Sequence, residues 1–219
     1  MKWETFRLFL RDRWQQGEHL SIIGPTGTGK SYLSLKLLEN RTYNVVFGTK
    51  VKDKTLESFS KEKGYTIQKS FKPNETIHKY ILWPKFAKPG DERTQRRIFI
   101  DAFNAIFVQG GWTVYIDETY YFSDFLKLDY FLKLYWTQAR SNHITLVAST
   151  QRPRDVPLLM YDQSYHLFFF KMNDEQDLKR IGGINNNNSR IIRETVSELN
   201  RHEFLYVNVF GDLIISKVE

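Results

Sequence analysis

The sequence predicts an α/β fold with a mainly parallel sheet flanked by helices, and three observations lead there. A Gly-x-x-x-x-Gly-Lys-Ser pattern, Gly24 to Ser31, sits between an apolar strand and a helix. Two further apolar runs, Trp112 to Ile116 and Ile144 to Ala148, each end on polar residues. Strand-like and helix-like segments alternate along the chain without an internal repeat, which implies βα units in one layered domain, here 1–219.

The elements follow in order. Trp3 to Trp14 mixes apolar and basic residues and is expected as a helix or arm. His19 to Ile23 is the first strand, and Tyr32 to Leu38 the helix after the glycine pattern. Asn44 to Gly48 is the second strand. A basic stretch runs from Lys50 to Lys63. Tyr65–Ile67 and His78–Trp83 are short strands, and residues 85–90 a loop. Asp91-Glu92 opens a helix through Val108, an acidic start that suits the helix dipole, and Gln109-Gly110-Gly111 ends it. Trp112 to Ile116 is an apolar run interrupted only by Thr113 and reads as a strand buried on both faces. Tyr120 to Gln138 has helical spacing, with Phe122, Phe125, Tyr130, Phe131 and Tyr135 expected in the core. Ile144–Ala148 and His166–Phe170 are strands, and Asp174–Ile181 is a helix. Gly182-Gly183 and Asn185–Asn188 form a connection. Ser189 is expected to cap a helix through Leu199. Glu203–Val209 and Asp212–Val218, joined by Phe210-Gly211, read as a terminal β-hairpin.

The chemistry concentrates at three strand ends. In Gly24-Pro25-Thr26-Gly27-Thr28-Gly29-Lys30-Ser31, glycines let backbone N–H groups close on a phosphate chain at a helix N-terminus. Lys30 would reach the β- and γ-phosphates of ATP and Ser31 would hold Mg²⁺. A glycine-rich turn without a ligand has no use for Lys-Ser at that place. Asp117, at a buried strand end, is placed to hold Mg²⁺, and Glu118 to polarise an attacking water. A merely solvated strand end is the bland alternative. Gln151 follows the next strand, where its amide would orient that water or sense the γ-phosphate; it also fits a simple loop opener. Arg140, before that strand, reads either as a surface or capping charge or as an arginine finger entering a neighbouring subunit's site. Arg152 is a second candidate.

With 219 residues, 41% hydrophobic and 26% charged, the chain is globular rather than disordered. It has no cysteine, excluding disulfides and thiolate metal sites. No apolar run reaches the ~20 residues of a membrane span, and Met1-Lys2-Trp3-Glu4 lacks a signal-peptide core. A cytoplasmic protein without membrane insertion is expected. The net charge of +7 favours polyanions as partners, or serves solubility alone.

The strand–Asp117-Glu118 unit, a helix, and then Ala139-Arg140-Ser141-Asn142-His143 with the strand leading into Gln151-Arg152-Pro153 resembles the FtsK/HerA superfamily of DNA-pumping P-loop ATPases. The resemblance covers Leu20 to Ser31 and most of Trp112 to Val209, and does not extend to Tyr43 to Gly111. It implies a RecA-like fold, nucleotide binding by Gly24, Gly29, Lys30 and Ser31, magnesium on Asp117, a catalytic Glu118, a sensor Gln151 and a trans-acting Arg140. The small size resembles viral genome-packaging ATPases, which implies a homo-oligomeric ring of five or six copies around double-stranded DNA, a capsid or portal vertex partner, and a place in host cytoplasm or at the virion vertex. Candidates for DNA contact are Lys50, Lys52, Lys54, Lys61 and Lys63 in a channel-facing loop, and Arg93, Arg96 and Arg97 on one helical face; each group also reads as a solvated charged face. A phage morphogenesis ATPase of the zonular-occludens-toxin type and a small-molecule P-loop kinase are the alternatives.

Overall fold

In the computed structural model, residues 1–72, 76–84, 88, 90–184 and 188–218 are described. The chain forms α1 (Trp3–Arg13), β1 (His19–Ile23), α2 (Lys30–Leu38), β2 (Asn44–Phe47), α3 (Lys54–Lys63), β3 (Thr66–Gln68), β4 (Lys79–Leu82) and α4 (Glu92–Gln109). Then come β5 (Thr113–Ile116), a π-helical turn (Tyr121–Phe125), α5 (Asp129–Gln138), β6 (Thr145–Thr150), α6 (Leu159–Asp162), β7 (Ser164–Phe170), α7 (Glu175–Gly182), α8 (Ser189–Glu198), β8 (Glu203–Asn208) and β9 (Leu213–Lys217). Short 3₁₀ turns flank β6 at Ala139–Asn142 and Pro153–Asp155.

Among the described residues, nine strands join one sheet in the order β3-β4-β2-β5-β6-β1-β7-β8-β9. The pairings among β1 to β7 are parallel, while β8 and β9 run antiparallel as a terminal hairpin. Alternation along the central strands divides the core. Val45, Phe47, Val114, Ile116, Leu146 and Ala148 point to the face beneath α4, α5 and α8. Val46, Tyr115, Val147, Phe168 and Phe170 point to the face beneath α1 and α2. Both faces being covered explains why these strands read as unbroken apolar runs.

Several expectations are corrected. The basic stretch after β2 is not an extended loop. Asp53 accepts from the backbone N–H groups of Thr55 and Leu56, which starts α3, and Gly64 ends it in the left-handed region at φ 70°. Tyr120 to Gln138 is not one helix, because it breaks at Leu126–Leu128 between the π-helical turn and α5. That break turns Phe125 and Tyr130 outward, 56% and 70% exposed, while Phe122 and Tyr135 stay in the core. Ser189 is the first residue of α8 and not its cap; Asn188 holds the cap position. Residues 73–75, and most of the expected loop at 85–90 and of the expected connection at 185–188, lie outside the described residues. Among the described residues, no helix is long and apolar enough to cross a membrane.

Candidate nucleotide site

The C-terminal ends of β1, β2, β5 and β6 meet at one edge of the sheet, where parallel α/β folds bind ligands. The Gly24–Ser31 loop leaves β1 there and passes into α2 at Lys30. Two glycines are required by geometry. Gly29 takes φ 111°, closed to residues with a Cβ. At Gly24 a Cβ would stand 2.6 Å from the Cβ of Phe170. Lys30 Nζ donates to the Pro25 carbonyl at 2.9 Å, and Thr28 Oγ1 donates to the same carbonyl at 2.8 Å, so the loop curls around its own lysine. Burial pulls the Lys30 ammonium below its ordinary value, opposed by Asp117 and Glu118.

Asp117 is the hub. Its Oδ1 accepts from Ser31 Oγ at 2.7 Å and from the Tyr115 hydroxyl at 2.6 Å; its Oδ2 accepts from Lys50 Nζ at 2.8 Å. Burial alone would raise this carboxyl, but Lys50, Tyr115 and Ser31 outweigh it and hold it below the ordinary aspartate value. Ser149 Oγ donates to the Asp117 carbonyl, and Thr119 Oγ1 donates to the Ser149 carbonyl at 2.9 Å, which locks the β5 exit to β6.

Glu118 lies beside it in a different environment. Its Oε1 accepts from Thr150 Oγ1 at 3.3 Å. Its Oε2 is buried and has no hydrogen-bond partner among the described residues. Burial raises this carboxyl, opposed chiefly by Lys30. Two adjacent acids are thus set apart, one saturated with donors and one with an open oxygen. Gln151, at the end of β6, is tied to the loop by a 2.7 Å hydrogen bond that Thr26 Oγ1 donates to its Oε1.

Thr26, Gly27, Gly29, Lys30, Ser31, Lys50, Asp117, Glu118 and Gln151 line one cavity of about 340 Å³. The sequence points to every one of these except Lys50, which it offers only within one of two candidate DNA-contacting groups; Tyr32 and Thr55, also on the wall, are not singled out. Lys50 leaves β2 as a basic residue among others, and only the parallel pairing of β2 with β5 brings it to Asp117. His202, also on the cavity wall, went unassigned; its imidazole Nδ1 donates to the Thr28 carbonyl at 3.0 Å.

The residues fit a magnesium–nucleotide. Gly29 takes a backbone conformation suited to glycine at the N-terminus of α2, a hydroxyl and a carboxylate lie together, and a buried carboxylate oxygen with no partner among the described residues sits next door. Among the described residues no cluster of three or more His, Asp or Glu could hold a metal alone.

The arginines separate. Arg140 precedes β6, so it lies at the opposite edge of the sheet from the loop, exposed, with its guanidinium 4.5 Å above the Tyr165 ring and donating to the Tyr165 hydroxyl. Arg152 lines a neighbouring cavity of about 330 Å³ with Glu118, Tyr120, Gln151 and Asp155. On α4, Arg96 Nε donates to the Leu126 carbonyl at 2.8 Å, which ties α4 to the break before α5.

No protein-family model matches the chain. No curated protein sequence matches it. Solved structures do. The genome packaging NTPase B204 from Sulfolobus turreted icosahedral virus 2, in complex with AMPPCP, superposes with a TM-score of 0.68 at 18% identity, covering 93% of this chain and 99% of that one. B204 from Sulfolobus turreted icosahedral virus, described as its DNA-packaging ATPase, gives 0.66 at 19% identity over 94% and 99%. VirB4 of Thermoanaerobacter pseudethanolicus gives 0.68 at 12% identity over 92% and 89%. The chain has the fold of these P-loop ATPases, and its own sheet ends in an antiparallel hairpin.

Proposed function

We propose that this protein is a magnesium-dependent ATPase that moves double-stranded DNA, working as a homo-oligomeric ring in viral genome packaging with a capsid or portal vertex protein as partner. One observation carries the nucleotide chemistry: Ser31 Oγ and Asp117 Oδ1 are 2.7 Å apart beside Glu118, whose buried Oε2 has no hydrogen-bond partner among the described residues. Gly24 to Lys30 bind the phosphate chain, and Ser31 and Asp117 hold the metal. Magnesium, when bound, neutralises charge on the β- and γ-phosphate oxygens. Glu118 accepts the proton of the attacking water through Oε2, and Gln151, steered by Thr26, orients it. Arg140 faces away from its own loop and acts on the neighbouring subunit's nucleotide.

The DNA half of the proposal draws support from the net charge of +7 and from the fold shared with proteins described as packaging NTPases. Contacts to phosphate rather than to bases are the expected mode. Measuring ATP turnover with and without long double-stranded DNA, over a salt series, tests it. Stimulation that fades steeply with salt is the expected result. Turnover indifferent to DNA, in a preparation that binds DNA, would remove the translocase reading and leave an ATPase with another cargo.

A further inference from the structure

The sheet edge that carries Arg140 has a second exposed feature. β8 and β9 are joined there by Val209 to Asp212. The register sets His166 opposite Asn208, so Tyr165 stands opposite Val209, whose N–H donates to the Tyr165 carbonyl at 3.2 Å. Residues opposite one another on paired strands share a face. The Arg140 guanidinium lies over the Tyr165 ring. Arg140, Tyr165 and the hairpin tip therefore form one strip along the edge opposite the phosphate loop.

The tip is apolar and firmly held. Phe210 is 75% exposed and Val209 56%. Asn208 is buried and braces the turn from within. Its Oδ1 accepts from the N–H groups of Phe210 at 3.0 Å and Asp212 at 2.9 Å, and its Nδ2 donates to Asp212 Oδ2 at 2.8 Å. Gly211 completes the turn at φ 91°. The shape of the turn thus depends on Asn208 and Gly211, and nothing in it requires a phenyl ring at 210. Such a ring held in water adds no burial to the single chain, and a pre-formed turn loses little freedom when it docks.

Arg140 identifies what covers the tip. Subunits of a ring meet through two unlike surfaces. For Arg140 to reach a neighbour's nucleotide, the edge of the neighbour's sheet that carries its phosphate loop must lie against this edge, and the tip stands beside Arg140 there. Resting on the cross-subunit role of Arg140 proposed above, we propose that Val209 and Phe210 dock on a second copy of this chain and hold Arg140 at its nucleotide. Aromatic residues and arginine are the types enriched where subunit contacts are fully buried.

Sedimentation velocity over a concentration series, with magnesium and β,γ-methylene ATP, with and without a short DNA duplex, tests the proposal. Wild type should assemble. Phe210→Ser should need at least about 30-fold more chain for half-assembly, while Phe210→Leu stays close to wild type. Because Phe210 is exposed, Phe210→Ser should keep its Tm and its affinity for the analogue. Its ATP turnover should climb towards wild type as chain concentration rises, whereas that of Arg140→Ala should stay low at every concentration. Wild-type assembly that Phe210→Ser leaves unchanged would overturn the proposal, as would a variant that assembles normally and loses the duplex instead, since the tip would then face DNA. A wild-type chain that stays single under every condition would overturn the ring reading, and the role of the tip with it.

Discussion

Lys50 Nζ stands 2.8 Å from Asp117 Oδ2 and 3.3 Å from Asp53 Oδ2. One ammonium thus joins the exit of β5 to the N-terminal cap of α3. Burial would lower this ammonium's pKa, but Asp117 and Asp53 outweigh it and raise it, so it stays charged. A positive charge on the carboxylate assigned to magnesium competes with the metal. Lys50→Met should lower the magnesium concentration for half-maximal turnover about twofold to fivefold, the worth of a partly exposed ion pair of about 0.4–1 kcal/mol. A magnesium titration checks it; an unchanged or higher requirement would assign Lys50 to substrate instead.

Glu118→Gln preserves shape and removes the base. Nucleotide affinity should stay within a few-fold of wild type, while turnover falls by about 10²–10⁴-fold. Single-turnover kinetics with pre-bound ATP separates the two effects, and normal turnover would exclude Glu118 from the chemistry.

Arg140 touches Tyr165 and no part of its own phosphate loop. Arg140→Ala should keep the fold and nucleotide affinity and lose about 10³–10⁵-fold in turnover. Mixing it with a Lys30→Ala chain should restore part of the activity, because each chain then supplies what its neighbour lacks. Joint loss of fold and affinity would make Arg140 a structural residue.

Far from the site, Glu18 Oε2 faces His166 Nε2 at 3.2 Å and accepts from the backbone N–H of Gln15 at 2.8 Å, while His166 Nδ1 meets the Tyr206 hydroxyl at 2.8 Å. Burial alone would raise the Glu18 carboxyl; the His166 and Gln15 hydrogen bonds outweigh it and lower the pKa below 4.5. A depressed acid stabilises the fold fully above its unfolded value and loses that stabilisation as pH falls through the folded one. Glu18→Gln should therefore lower Tm at neutral pH, and its gap from wild type should narrow as pH drops below 4.5. A gap that widens in acid would contradict the assignment.

Much of this was legible in the sequence for local reasons. The glycine pattern is a backbone requirement written at fixed spacing, and β5 and β6 are buried on both faces, so their centres, Val114–Ile116 and Leu146–Ala148, are apolar and the polar residues after them stand out. What escaped depends on contacts between distant segments. Lys50 is one lysine among several until β2 pairs beside β5. His202 gains meaning only when the antiparallel β8 brings its start to the Thr28 carbonyl. The break after Phe125 is hidden because Tyr120 to Gln138 keeps helical spacing through it, and Lys127 takes φ 52° there without a glycine to announce it.

The central claim is that the Gly24–Ser31 cradle binds a nucleoside triphosphate which Glu118 helps to cleave. Direct measurement of ATP binding and phosphate release by the purified chain with magnesium, beside Lys30→Ala, tests it most plainly. Binding and release by wild type are expected, with affinity lowered about 10–150-fold in a folded Lys30→Ala chain, the worth of a lost charged hydrogen bond. A wild-type chain that is folded yet neither retains nor cleaves ATP would contradict the account.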